Sequence, residues 1–220
     1  MKKTVPSLLL MLLCNYLYAA DRQALPIMVM AEDSDPGSIK RSSEIHRRVM
    51  TEIQYQFTTY NWQVIDENTV AANVGWLIKD RRPKEALVQV VELTCGRKDK
   101  SLCPRALVTF KIRAMAKDIG FDTKAQVRIN GDIYDVDANQ YLSSWTPMRM
   151  EFPAPRQCSG ACIEKIVSDH APDIAAGLGA VLAEKLAYLQ QGNTPQGIGK
   201  TIKGKFEEQD NLAKGPHSIW

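Results

Sequence analysis

Residues 106–137 read ALVTFKIRAMAKDIGFDTKAQVRINGDIYDVD, and the alternation along them decides the fold class. Ala106, Val108, Phe110, Ile112, Ala114 and Ala116 alternate with Leu107, Thr109, Lys111, Arg113, Met115 and Lys117. Asp118-Ile119-Gly120 offers a turn, and the pattern then returns. Phe121, Ala125, Val127, Ile129 and Ile133 point one way, and Asp122, Lys124, Gln126 and Arg128 the other. Successive strand residues face opposite sides, so this pattern predicts a long antiparallel hairpin with one core face and one solvent face. Residues 135–139 make a second turn, and residues 140–146 a third strand of the meander. Pro147, Pro153 and Pro155 then predict an end to regular structure.

Upstream of the hairpin, residues 26–31 (PIMVMA) form an unbroken apolar run, the pattern of a strand covered on both faces. The acidic turn of residues 32–37 (EDSDPG) follows. Ile45, Val49, Ile53 and Phe57 recur every four residues and mark one face of an amphipathic helix. The acidic turn reads as the solvated start of that helix, where negative charge is stabilising. Residues 62–65 read as a second strand, and residues 67–76 and 83–93 as short helices, the latter opened by Pro83.

Downstream, Ile163, Ile166, Val167, His170, Ile174, Leu178, Val181, Leu182, Leu186 and Leu189 form a helical stripe. Pro172 is expected to kink or split this helix after His170. Ala175, Ala176, Gly177, Gly179, Ala180 and Ala183 keep its second half thin, as close packing on a sheet requires. The expected architecture is one α/β domain (α+β-like) over residues 21–190: a mixed sheet with a three-strand antiparallel meander, flanked by helices.

Residues 1–20 have the layout of a signal peptide. Met1-Lys2-Lys3 is basic, residues 8–14 (LLLMLLC) are apolar, and Tyr18-Ala19-Ala20 offers a cleavage site. That apolar run is far shorter than the ~20 residues a membrane span needs. The expected location is therefore the periplasm, with attachment at the outer membrane as one placement. Cys14 raises lipidation as an alternative, but Leu13 stands where a lipobox has a small residue.

With 45% hydrophobic and 24% charged residues, the 220-residue chain falls outside the collagen-like, coiled-coil and disordered classes. Its 28 Lys and Arg against 25 Asp and Glu give +3, and two of those cations lie in the leader. A mature chain so near neutrality has no bulk attraction for nucleic acid. Residues 191–220 are polar and Gly-rich and read as a flexible tail, ending in Ile219-Trp220, which is either incidental or an anchor that orders on a partner.

Removing the leader leaves Cys95, Cys103, Cys158 and Cys162. Four cysteines allow three pairings; local closure, Cys95 with Cys103 and Cys158 with Cys162, is the most economical. Zinc is the rival, but the wide gap from Cys95 to Cys103 does not match a zinc knuckle, and export favours disulfides. No C-x-x-C is present.

Other motifs carry little chemistry. Residues 197–201 (GIGKT) look like the end of a phosphate-binding loop, but Thr194 replaces the first glycine and the strand–loop–helix context is missing. Glu32, Asp33 and Asp35 lack the spacing of a calcium loop. His46, His170 and His217 are scattered, and His170 on the apolar stripe reads as a core histidine. No G-x-S-x-G occurs. The expectation is a protein that is not an enzyme and holds no cofactor or metal. Lys111, Arg113, Lys117, Lys124 and Arg128 share the solvent face of the hairpin, partly offset by Asp122. They make either a solvated face or a contact for an anionic partner: an acidic protein, a lipid headgroup or peptidoglycan.

The order strand, long helix, strand, helices, meander, long helix, behind a signal peptide, resembles a known periplasmic α/β domain. That domain is shared by the curli secretion protein CsgG, the synthase activator LpoB, the N-terminal domain of TolB and the middle domain of the flagellar ring protein FlgT. Residues 26–35 (PIMVMAEDSD) with the helix to Tyr60, residues 61–66 (NWQVID) and the hairpin carry the resemblance. It implies a non-catalytic subunit or assembly factor of an envelope-spanning machine, such as a secretion or conjugation apparatus or a flagellar ring. Partners would be other envelope proteins, or further copies in an oligomer or ring. The chain lacks the long barrel-forming hairpins of CsgG, so the resemblance implies no pore. Two other functions stand beside it: activation of peptidoglycan synthesis, and a periplasmic hydrolase with an unrecognised site.

Overall fold

A computed structural model describes residues 24–190 apart from Phe121, Met148 and Ser159. The leader, the 191–220 tail with Trp220, the 197–201 motif and His217 lie outside the described residues.

Strand β1 (Pro26–Ala31) buries Ile27 to Ala31 completely or nearly so, as its unbroken apolar run demands. It lies between β2 (Gln63–Ile65) and β3 (Ala106–Ile119) and is parallel to both. β3 returns as antiparallel β4 (Asp122–Asp135), with Ile119 opposite Asp122. The strands therefore take in Asp118 and Ile119, and the tight turn falls at Gly120, whose φ of +62° favours glycine. β5 (Gln140–Trp145) pairs with the base of β4 and β6 (Met150–Ala154) with its distal half. β6 corrects the expectation that the prolines end regular structure here. Pro153 stands opposite Lys124 in an edge strand, where a proline nitrogen can face away from the ladder.

Two helical layers cover this six-stranded mixed, open sheet to make one α/β domain. On one face α1 (Glu44–Thr59) and α4 (Gly160–Gln190) bury Ile45, Val49, Ile53, Phe57, Val167, Leu178 and Leu182 against Val108, Phe110, Val127 and Ile129. On the other face α2 (Glu67–Val74) and α3 (Lys84–Cys95) bury Val70, Leu87, Val90 and Val91 against Met28, Met30 and Leu107. That second layer covers β1, β2 and only the base of β3. Leu107 and Thr109, expected on the solvent face, are therefore buried, and the open face begins near Lys111.

The start of α1 also differs from expectation. Its cap is Ser43, whose Oγ accepts the His46 N–H at 3.1 Å, and the acidic turn lies upstream of it. Asp33 is buried and accepts the backbone N–H groups of Arg81 (2.9 Å) and Arg82 (2.6 Å), so it pins the β1–α1 loop to the α2–α3 connection. α4 runs unbroken through Pro172. Its small residues serve helix packing as well as sheet packing: a Cβ at Gly179 would meet Gln56 Cβ at 2.8 Å and Ile53 Cα at 3.2 Å, both in α1. On the sheet side the close approach comes from β4, where Gly131 leaves room for Leu178 and Leu182. Disulfides Cys95–Cys103 and Cys158–Cys162 close local loops at the end of α3 and the start of α4.

Candidate functional site

The half of the second sheet face that α2 and α3 leave uncovered is strongly cationic. Alternation places Lys111, Arg113, Met115 and Lys117 of β3 on this side, with Lys124, Gln126 and Arg128 of β4 beside them. Arg113 stands directly opposite Arg128, and Lys117 opposite Lys124. Like charges in directly opposed positions are destabilising, so the fold carries this arrangement at a cost.

Neighbouring carboxylates neutralise part of it. Glu32 meets Lys111 at 2.6 Å, Asp35 pairs with Arg113, and Glu151 of β6 meets Lys124 at 3.1 Å. The backbone N–H of Gly37 and then Arg113 hold the Asp35 carboxyl below the usual carboxylate range. Lys124 does the same for Glu151. Glu32 and Asp35 of the acidic turn are thus counter-ions to the hairpin, while Asp33 serves the α2–α3 connection. Arg128 has no acidic partner at ion-pair distance among the described residues. Arg149 joins the group from just before β6 and donates to Gln126 Oε1 at 3.1 Å. Arg113, Arg128 and Arg149 surround a shallow pocket of about 120 Å³ floored by Val127, with Met115 exposed at its rim. Sequence reasoning placed Met115 on this face but missed Arg149 and Glu151 as parts of the surface; the alternation of Arg149 and Glu151 with Met150 and Phe152 was the available signal.

A second concavity lies at the carboxyl ends of β1 and β2. The chain leaves β1 for α1 on one face and β2 for α2 on the other, and such a divergence opens a crevice in α/β sheets. The cleft holds about 540 Å³ and is lined by Arg41, Ser43, His46, Arg47, Asp66 and Glu67, among others. Arg41 is buried; its guanidinium pairs with Glu67, donates to the Ala31 carbonyl and lies 3.6 Å from Asp33. Trp76 Nε1 adds a donor to Glu67 at 3.2 Å.

His46 is 8% exposed and stacks on Phe110 with ring centroids 5.7 Å apart. Burial, helped by the positive charge of Arg41, pushes its pKa down to about 4, so the ring is neutral near pH 7. Its Nε2 has no hydrogen-bond partner among the described residues. The nearby hydroxyls are engaged elsewhere: Ser43 caps α1, and Ser42 Oγ donates to Asp80 at 3.0 Å. His170, expected in the core, is exposed and lies flat on Phe152 at 4.0 Å. No group of three or more metal-ligating side chains stands together among the described residues.

No protein-family model matches the chain, and no curated protein matches it. Solved structures do. The lipoprotein GNA1162 of Neisseria meningitidis is 11% identical over 69% of this chain and 98% of that one, with a TM-score of 0.43. The PelC dodecamer of Paraburkholderia phytofirmans is 12% identical over 72% and 89%, with a TM-score of 0.37. Protein XCC0632 of Xanthomonas campestris is 8% identical over 76% and 89%, with a TM-score of 0.39. The kinship to CsgG, LpoB, TolB and FlgT goes no further than the resemblance of element order.

Proposed function

We propose that the protein is a non-catalytic accessory component of the bacterial cell envelope that works by contact with other envelope proteins. The observation that carries this reading is the distal β3–β4 face, where Arg113 opposes Arg128 and Lys117 opposes Lys124 on an uncovered part of the sheet. Asp35 and Glu151 neutralise one cation of each pair, and the other two, Lys117 and Arg128, suit an anionic partner. The two disulfides support an oxidising compartment, in keeping with the signal-peptide layout of residues 1–20. The finer form of the proposal is a periplasmic subunit or assembly factor of an envelope-spanning machine, peripheral to the outer membrane and able to form an oligomer.

The hydrolase reading draws less support. The hydroxyls flanking His46 are already occupied, and its ring lies against Phe110 under burial that disfavours imidazolium.

Affinity purification of the tagged mature protein from detergent-solubilised envelopes, read by mass spectrometry, tests the proposal. Reproducible co-purification of envelope proteins is expected, with recovery reduced by the double variant Lys117→Glu, Arg128→Glu at unchanged melting temperature. A lone monomer from both preparations overturns it.

A further inference from the structure

Past the point where β1 ends, β3 has a neighbour on one side only. β1 pairs with β3 through Phe110, and the loop after it follows as far as Arg113 through the Ser38 bridge. Residues 114–119 then pair with β4 alone among the described residues. The polarity of this edge follows from the bonds just before it. The carbonyls of Phe110 and Ile112 accept from the N–H groups of Glu32 and Ile39, both at 2.8 Å. Even-numbered residues of β3 therefore aim their backbone groups away from β4. Ala116 and Asp118, together with the Ala114 carbonyl, present backbone groups in a row with nothing described against them, while the Ala114 N–H faces Gly37 beside the Ser38 bridge.

We infer that this edge takes up an extended acidic segment of a partner polypeptide as an added strand. The inference rests on the contact role proposed above and names the kind of partner. A strand laid on the edge gains main-chain hydrogen bonds, while its alternate side chains select for composition. On the cationic side those side chains would lie beside Arg113, Met115 and Lys117, with Arg128 and Lys124 one strand further in. Carboxylates fit there. On the opposite side they would lie beside Ala114 and Ala116, whose small side chains leave room for branched apolar residues. The recognised segment therefore alternates acidic and apolar residues over about six positions.

Charge and edge chemistry also set this site apart from the other open edge of the distal sheet. β6 carries Pro153 opposite Lys124, so its outer edge lacks a donor at its centre. That loss discourages head-to-tail addition of one copy's β3 edge to another's β6.

A fluorophore-labelled peptide of sequence EVEVEV, capped at both ends, tests the inference by fluorescence anisotropy with the mature protein. Its counterpart KVKVKV is the control. Saturable binding of the acidic peptide is expected, weakened by salt, with at least tenfold weaker binding of the basic one. Ala116→Pro removes an outward N–H without touching the β3–β4 ladder, so it should weaken binding at least tenfold while the protein still melts cooperatively. Lys117→Glu should weaken binding severalfold, and it keeps the test alive if the proline variant fails to fold. Absence of binding at millimolar peptide overturns the inference and leaves Lys117 as a charge that keeps edges apart. Binding lost with Lys117→Glu but untouched by a folded Ala116→Pro overturns strand addition. So does self-association that Ala116→Pro abolishes in sedimentation equilibrium, which would make a second copy the occupant. Envelope partners captured in the purification above, without peptide binding, would leave the contact role standing and remove only this inference.

Discussion

Arg48 of α1 donates from Nη1 to the carbonyl oxygen of Ser168 in α4 at 3.2 Å. Ser168 lies four residues before Pro172, so its carbonyl would ordinarily accept the N–H that proline does not have. The neighbouring helix supplies the missing donor. Arg48 is itself braced by Glu44 Oε1 at 2.9 Å. This cross-helix bond explains how α4 continues through a residue that the sequence marks as a break.

Arg48→Ala should therefore cost about 1–2 kcal/mol of stability, the usual penalty for stranding a partly buried polar group. Pro172→Ala restores an internal donor and should be stabilising. In the Pro172→Ala background the cost of Arg48→Ala should shrink towards zero, giving a coupling of about 1 kcal/mol in urea denaturation of the four proteins. Arg48 Nη1 also lies 3.9 Å from Asp169 Oδ1, and additive effects would show that Arg48 acts through Glu44 and Asp169 alone.

Elsewhere too, local pattern reveals an element and tertiary context decides what covers it. β1 is legible in PIMVMA because a strand covered on both faces has no other way to be written. The hairpin is legible in its alternation, which separates the two faces of β3. Alternation does not say whether the second face is covered, and Leu107 is buried only because α3 packs over it. β6 was hidden by Pro153, since a proline that breaks most strands is harmless at an edge. His170 sits on the apolar stripe yet is exposed, while His46, one position along from the α1 stripe residue Ile45, is buried. The crevice beside His46 was illegible, because it depends on α1 and α2 leaving the sheet on opposite faces.

Two glycines of α4, two residues apart, should respond in opposite ways to alanine. At Gly179 the new Cβ would meet Gln56 Cβ at 2.8 Å and the Ile53 backbone at 3.2 Å, so α1 and α4 must separate. A loss of about 1–3 kcal/mol is expected for Gly179→Ala. At Gly177 nothing lies within 4 Å, and alanine there should stabilise the helix by up to about 1 kcal/mol. Thermal melts of the two variants check this; equal shifts would mean that α1 and α4 do not pack through Gly179.

His46 makes the domain sensitive to mild acid. Its folded pKa is about 4 against an ordinary 6.5, because burial disfavours the charged ring, with Arg41 adding repulsion and Asp33 and Asp80 offsetting part of it. Between those values the unfolded chain binds the proton and the folded chain does not, so stability falls as pH drops. The contribution is whole above about pH 6.5 and declines until the folded ring itself protonates near pH 4. From pH 7.5 to 4.5 the loss should reach about 2–3 kcal/mol, since each tenfold difference in proton affinity between folded and unfolded chains is worth roughly 1.4 kcal/mol. Asp35 and Glu151, held below the usual carboxylate range, lose their contributions in the same direction but at lower pH. The variant His46→Phe separates the two effects: it preserves an aromatic face for Phe110 and has nothing to titrate. In urea unfolding, the wild-type protein should lose stability relative to this variant as the pH falls from 6.5 to 4.5. Parallel pH profiles would show that His46 is solvated enough to protonate in the folded state.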